Sequence, residues 1–138
     1  MKFKLVKTLA KEFSVCNAQE QFDKVEAPML SLNSLTVKVG VPSDKKAQTF
    51  AIHFQVDATL IVSECLSVKC DYWAFFESEQ ALTQDFLDSH FTSINAPAIA
   101  YPYLRSFITN ILVNAGYPAL YLPTVNFVEM AKRQQTPE

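Results

Sequence analysis

From Ser89 to Val128 the only formally charged side chain is that of Arg105. Within this stretch the spacing predicts a long helix that begins after Asn95 and ends at an Asn114-Ala115-Gly116 cap. Pro97 falls near its first turn, and Pro102 inside it threatens a kink or a shifted start. Ile99, Tyr103, Phe107 and Ile111 form one apolar stripe, and Leu104, Ile108, Leu112 and Ala115 an adjoining one. A surface helix needs an apolar arc of roughly 100°, and this helix has far more. In a chain of 138 residues a small sheet covers one side of it. The other side is expected to be buried by an identical copy, with Tyr103, Leu104, Phe107, Ile108, Ile111 and Leu112 at the oligomer interface. Complete shielding by its own chain is the alternative.

The rest of the chain supplies that sheet. Residues 3–15 alternate, with Phe3, Leu5, Leu9, Phe13 and Val15 on one parity and Lys7 and Lys11 breaking the pattern. Period two over that length predicts a strand with one covered face. Residues 17–34 lose the alternation and read as a long loop carrying Phe22, Val25, Met29 and Leu30, with Pro28 in its middle. Long ordered loops tend to be functional. Alternation returns at Leu35, Val37, Val39 and Val41. It is clearest from Phe50 to Val62, where Phe50, Ile52, Phe54, Val56, Ala58 and Leu60 share a face opposite His53, Gln55, Asp57 and Thr59. A fourth strand leads from Cys65 to Phe76. Four such strands imply one antiparallel sheet, hence an α+β fold. A short amphipathic helix with Leu82, Phe86 and Leu87 follows the sheet, and a last helix capped by Asn126 carries Phe127, Met130 and Ala131. With 49% apolar and 19% charged residues the chain can bury a core, and residues 1–138 are expected to form one domain with a frayed tail over 132–138.

Several chemistries are excluded early. Gly40 and Gly116 are the only glycines, so no Gly-rich phosphate loop exists and no nucleotide cofactor is expected. A net charge of −2 removes the basic footprint of a nucleic-acid binder. The chain has neither the apolar block of a signal peptide nor a membrane-length run, so a cytoplasmic protein without membrane insertion is expected. Cys16, Cys65 and Cys70 lack paired spacing and read as free thiols, and Cys65 and Cys70 with His53 make only a weak metal pattern. There is no nucleophile–base motif, so no catalytic residue and no metal site are assigned.

The aromatic share, 12%, is informative. Trp73, Phe75 and Phe76 sit together near the end of strand four. Neighbours in a strand face opposite ways, so Phe75 and Phe76 cannot both enter one core. Aromatic and Met side chains on irregular segments can re-pack around varied apolar partners.

Ala100-Tyr101-Pro102-Tyr103-Leu104-Arg105 with Phe107-Ile108-Thr109, and Gly116-Tyr117-Pro118-Ala119-Leu120-Tyr121-Leu122-Pro123-Thr124-Val125-Asn126-Phe127, resemble the SecB family of bacterial export chaperones. Lys11-Glu12-Phe13-Ser14 is similar to the end of that family's first strand. The resemblance implies a four-stranded antiparallel sheet with helices on one side, assembled as a homotetramer, a dimer of dimers. It also implies ATP-independent holding of unfolded or precursor polypeptides in apolar grooves. By region it places Phe22, Met29, Leu30, Trp73, Phe75, Phe76, Phe127 and Met130 at the client surface. Acidic residues on the exposed sheet face serve that family's hand-over to SecA; Glu12 keeps one such position, whereas Cys16 stands where a second carboxylate is expected. Some SecB-like proteins guard antitoxins instead, so SecA and an antitoxin are both partners the resemblance implies. Two other readings stand beside it. One is a small-ligand or enzymatic α+β domain whose pocket would draw on His53, Asp57 and Arg105; the other is a purely structural oligomer.

Overall fold

The computed structural model describes residues 2–18, 27–41 and 48–135. Four long strands, β1 (Phe3–Asn17), β2 (Met29–Gly40), β3 (Thr49–Ile61) and β4 (Cys65–Ser78), form one antiparallel sheet in the order β1-β4-β3-β2. β1 and β2 are therefore the two edges, joined in sequence by the segment 18–28. Most of it, including Phe22, lies outside the described residues.

The alternation in β3 and β4 translates directly into two faces. Phe50, Ile52, Phe54, Ala58 and Leu60 of β3, with Val68, Ala74 and Phe76 of β4, are fully buried on one face. His53, Gln55, Asp57 and Thr59 look the other way. β1 is less regular, because its pairing with β4 shifts between Leu5 and Lys7 and again between Ala10 and Glu12. Each shift adds one residue to β1 and reverses the parity of the residues after it. Phe3, Leu5, Thr8, Ala10, Phe13 and Val15 therefore all turn inward, opposite Ser78, Phe76, Ala74, Tyr72, Cys70 and Val68. Leu9, grouped with the inward set by simple parity, is opposite Trp73 on the open face and 37% exposed. Lys7 and Lys11 break the pattern because they sit at these two bulges.

The helices cover only the inner face. After β4 comes a short helix, α1 (Gln84–Leu87), whose cap is Thr83: its Oγ1 accepts the Phe86 amide at 3.1 Å. A π-helical turn, Phe91–Asn95, runs straight into α2 (Ala96–Asn114). Pro97 sits in the first turn of α2, and Pro102 is accommodated within the helix. The helix stops at Gly116, φ 101°, where the Tyr117 amide reaches the Leu112 carbonyl at 2.9 Å and the Gly116 amide reaches Val113 at 3.0 Å.

Ala100, Leu104, Ile108 and Leu112 are 0% exposed. They form the core with the inner face of the chain's own sheet, which corrects the placement of Leu104, Ile108 and Leu112 at an interface between copies. Phe107 is half-buried, its ring 5.9 Å from Phe13 and 5.5 Å from Tyr72. The outer side of α2 is different: Ile99, Tyr103 and Val113 are 43%, 54% and 45% exposed.

Beyond Gly116 the chain runs extended until α3 (Phe127–Gln135). α3 includes residues 132–135, which the sequence pattern had suggested for a frayed tail. Among the described residues no helix is long and apolar enough to cross a membrane.

Candidate functional site

The extended segment before α3 is strapped to α2 by three side chains, each one helical turn from the next. The Tyr101 hydroxyl donates to the Pro123 carbonyl at 2.7 Å, Arg105 Nε to Leu122 at 2.9 Å, and the Thr109 hydroxyl to Leu120 at 2.7 Å. Burial pushes the Tyr101 phenol up to about 12, so at neutral pH it is a fixed donor. The lone charge of the stretch is thus spent on backbone: Arg105 holds a carbonyl and lies 6.0 Å from the Tyr121 ring centroid.

Strapped in this way, residues 124–126 and the first turns of α3 stand across from the middle of β2. Between them runs a groove of about 380 Å³, lined by Leu32, Asn33, Ser34 and Leu35 on one side. Thr124, Val125, Asn126, Glu129, Met130 and Arg133 line the other. Leu32, Leu35, Val125 and Met130 are half-buried hydrophobics that rest on the core and leave apolar surface in the groove. Asn126 Oδ1 accepts the Glu129 amide at 3.1 Å and starts α3 beside the groove. On the β2 side, pairing with β3 shifts between Leu32 and Ser34, which leaves Asn33 as an extra residue. Its amide reaches Thr59 Oγ1 at 2.8 Å and Asp57 Oδ1 at 3.3 Å. β2 is an edge, so the backbone groups on its outer side have no partner strand among the described residues.

Of the residues expected at a client surface, Met130 lines this groove and Met29, 49% exposed, stands at the start of β2. Leu30, Phe76 and Phe127 are corrections: they are 9%, 0% and 5% exposed and belong to the core. Phe76 stacks on Phe50 at 5.2 Å, and Phe127 meets Tyr101 edge-on at 5.6 Å. Trp73 and Phe75 lie on the opposite, open face of the sheet, half-buried, with ring centroids 6.3 Å apart. Leu32, Leu35 and Val125 were missed as groove residues. The signal for the first two was the step from even to odd positions between Leu32 and Leu35, which marks the bulge at Asn33.

The open face carries most of the polar groups that the sequence brings to notice. His53 Nε2 and Asp71 Oδ1 are 2.7 Å apart, and the imidazole stacks on Trp73 at 4.0 Å. Glu12 is exposed there, opposite Asp71. Cys16 is exposed, Cys65 half-buried, and Cys70 lies on the inner face, its thiol pushed up to about 12 by burial and by neighbouring Asp71. His53 and Asp57 sit on the open face while Arg105 is on α2 behind the sheet, so the three do not converge on one pocket. Among the described residues no three of His, Cys, Asp and Glu come together as a metal site.

Residues 1–138 match the family model for SecB, the preprotein translocase subunit. The chain belongs to the SecB family. It is 29% identical to the protein-export protein SecB of Thiobacillus denitrificans over 96% of its own length and 86% of that protein's. A shorter match, 45% identical over 42 residues, links it to the SecB of Methylibium petroleiphilum, with 30% of this chain and 26% of that one covered. Among solved structures, it superposes on the SecB-like chaperone of Mycobacterium tuberculosis, determined with a peptide from the HigA1 antitoxin. The TM-score is 0.66 at 12% identity, over 90% of each chain, so this likeness speaks to the fold. The SecB fold expected from the resemblance, a four-stranded antiparallel sheet with helices on one side, is the fold found. SecB proteins are chaperones, and a chaperone role in export is the activity that family membership supports.

Proposed function

We propose that this SecB-family chain is a nucleotide-independent holdase that takes extended segments of non-native polypeptide in the groove between β2 and α3. The observation that carries the reading is the row of half-buried apolar side chains, Leu32, Leu35, Val125 and Met130, beside a strand edge that has no partner strand among the described residues. Together they offer a client apolar contact without demanding a sequence. About 400 Å² of apolar client surface in one groove is worth a gross term on the order of 10 kcal/mol. Association and ordering consume most of it, so one groove binds weakly and several linked grooves bind tightly.

That arithmetic favours an assembly, and we place the copies of a homotetramer against the outer side of α2. The exposed Ile99, Tyr103 and Val113, with the flank of Phe107 and Ile111, form the contact. The reading places the protein in the cytoplasm. Precursor polypeptides are its clients, with hand-over to SecA through the carboxylate end of the open face that holds Glu12. The fold shared with a chaperone solved with an antitoxin peptide supports a second client class, a dedicated antitoxin.

The test is aggregation of a chemically unfolded client on dilution, followed by light scattering without nucleotide. The chain suppresses aggregation at near-stoichiometric ratio, and Met130→Asp reduces that suppression several-fold while leaving the circular dichroism unchanged. Unaltered aggregation at excess chaperone sinks the proposal.

A further inference from the structure

The sheet face turned away from the helices gathers three lysines around Trp73. Toward the start of β1, Lys4 stands opposite Glu77 and offsets it. Lys7 and Lys11 of β1 and Lys38 of β2 are exposed, and among the described residues none of them has a carboxylate within ion-pair distance. The nearby Asp71 is already engaged by His53 at 2.7 Å. Farther along the same face come Glu12 and Asp57, with the exposed Lys69 of β4 standing opposite Asp57.

Trp73 lies in the middle of the basic end. Its ring stacks on His53, neighbours Phe75, and has the Lys11 ammonium 4.6 Å from its centroid. Its Nε1–H is shut off from solvent and has no acceptor among the described residues. A buried donor left unpaired costs about 1–3 kcal/mol. A carboxylate arriving at Lys11 would draw the ammonium away from the ring, and an acceptor on the same bound segment would relieve the indole.

We propose that this end of the open face is a docking surface for an acidic polypeptide segment, with Lys7, Lys11 and Lys38 meeting its carboxylates and Trp73 providing the central contact. The length of the patch selects a peptide over a nucleic acid. From Lys7 to Glu12 the strand covers only about 15 Å at the usual rise per residue. A phosphodiester chain repeats its charge without pause and would run onto Glu12, whereas a few consecutive acidic residues end before it. The surface lies on the opposite side of the sheet from the groove, so the inference stands apart from the holdase reading.

Trp73 is the only tryptophan in the chain, so its emission reports occupancy directly. Tetraglutamate, which spans about 13 Å when extended, titrated into the full chain at low salt gives a saturable change in that emission, and added salt weakens the binding. Lys7→Glu combined with Lys11→Glu weakens it about tenfold or more; Met130→Asp, in the groove, leaves it as in the parent. Should the double variant fail to fold, Lys38→Glu on the other side of Trp73 gives the same reading from an independent strand. The proposal is overturned if tetralysine changes the emission equally or the charge-reversed chain keeps full affinity. Tighter binding of a single-stranded oligonucleotide of matched charge overturns it as well.

Discussion

Tyr101, Arg105 and Thr109 each give a hydrogen to the backbone of the segment that becomes one wall of the groove. Removing the Tyr101 hydroxyl leaves the Pro123 carbonyl without its donor. Tyr101→Phe should therefore cost about 1–2 kcal/mol, measured by urea unfolding. The same substitution should weaken client binding, because the wall loses its anchor, whereas Tyr121→Ala, on an exposed side chain, should do neither. Cys70 makes a second residue-level case. Its thiol moves from 9.0 to about 12 on folding, so the native state favours the protonated form. A group raised in the folded state contributes stability that is complete below its unfolded value and disappears as pH climbs through the folded one. Tyr101 acts in the same direction, from 10.0 to about 12. Stability from these two groups should therefore hold at neutral pH and fall between about pH 9 and 12, a decline that denaturant melts across that range would register. At pH 8 iodoacetamide should label the exposed Cys16 while leaving Cys70 untouched until the chain unfolds.

At the scale of elements, the two bulges in β1 decide which residues the strand buries. Lys11 is the extra residue between Ala10 and Glu12, whose partners Tyr72 and Asp71 are consecutive. Deleting Lys11 should give a continuous ladder and a chain that still folds. Deleting Ala10 instead moves Lys11 into the inward place opposite Tyr72 and should cost at least about 2 kcal/mol, as thermal melts of the two deletions would reveal. The bulges also explain how far sequence could be read. Strand β3, with strict alternation and no irregularity, was legible residue by residue. β1 is legible as a strand, but simple parity puts Leu9 on the wrong face, because the extra residue that resets it, Val6, is apolar and passes in sequence for an ordinary strand position. Both ends of α2 were legible from Pro97 and Gly116, whose backbone requirements are local. The groove was only partly legible. Met130 was visible as an apolar residue on a helix, but Leu32, Leu35 and Val125 become groove lining only once the strap brings residues 124–126 across from β2. That depends on contacts between residues such as Arg105 and Leu122, which nothing in local spacing announces.

At the scale of the whole molecule, the nearly charge-free stretch has two destinations. Leu104, Ile108 and Leu112 are consumed by the chain's own sheet; Ile99, Tyr103 and Val113 are not. Replacing Tyr103, which is 54% exposed, with Asp leaves the fully buried side chains of the core in place. It should therefore leave the circular dichroism intact while reducing the mass seen by light scattering to that of a smaller species; an unchanged mass would place the contact between copies elsewhere. The strap gives this arrangement a further consequence. On the proposed assembly a single rod would carry the seam between sisters on one side and, through three short tethers, one wall of the proposed cargo groove on the other. A protomer prised from its sisters should therefore grip differently, even though no gripping residue has been altered.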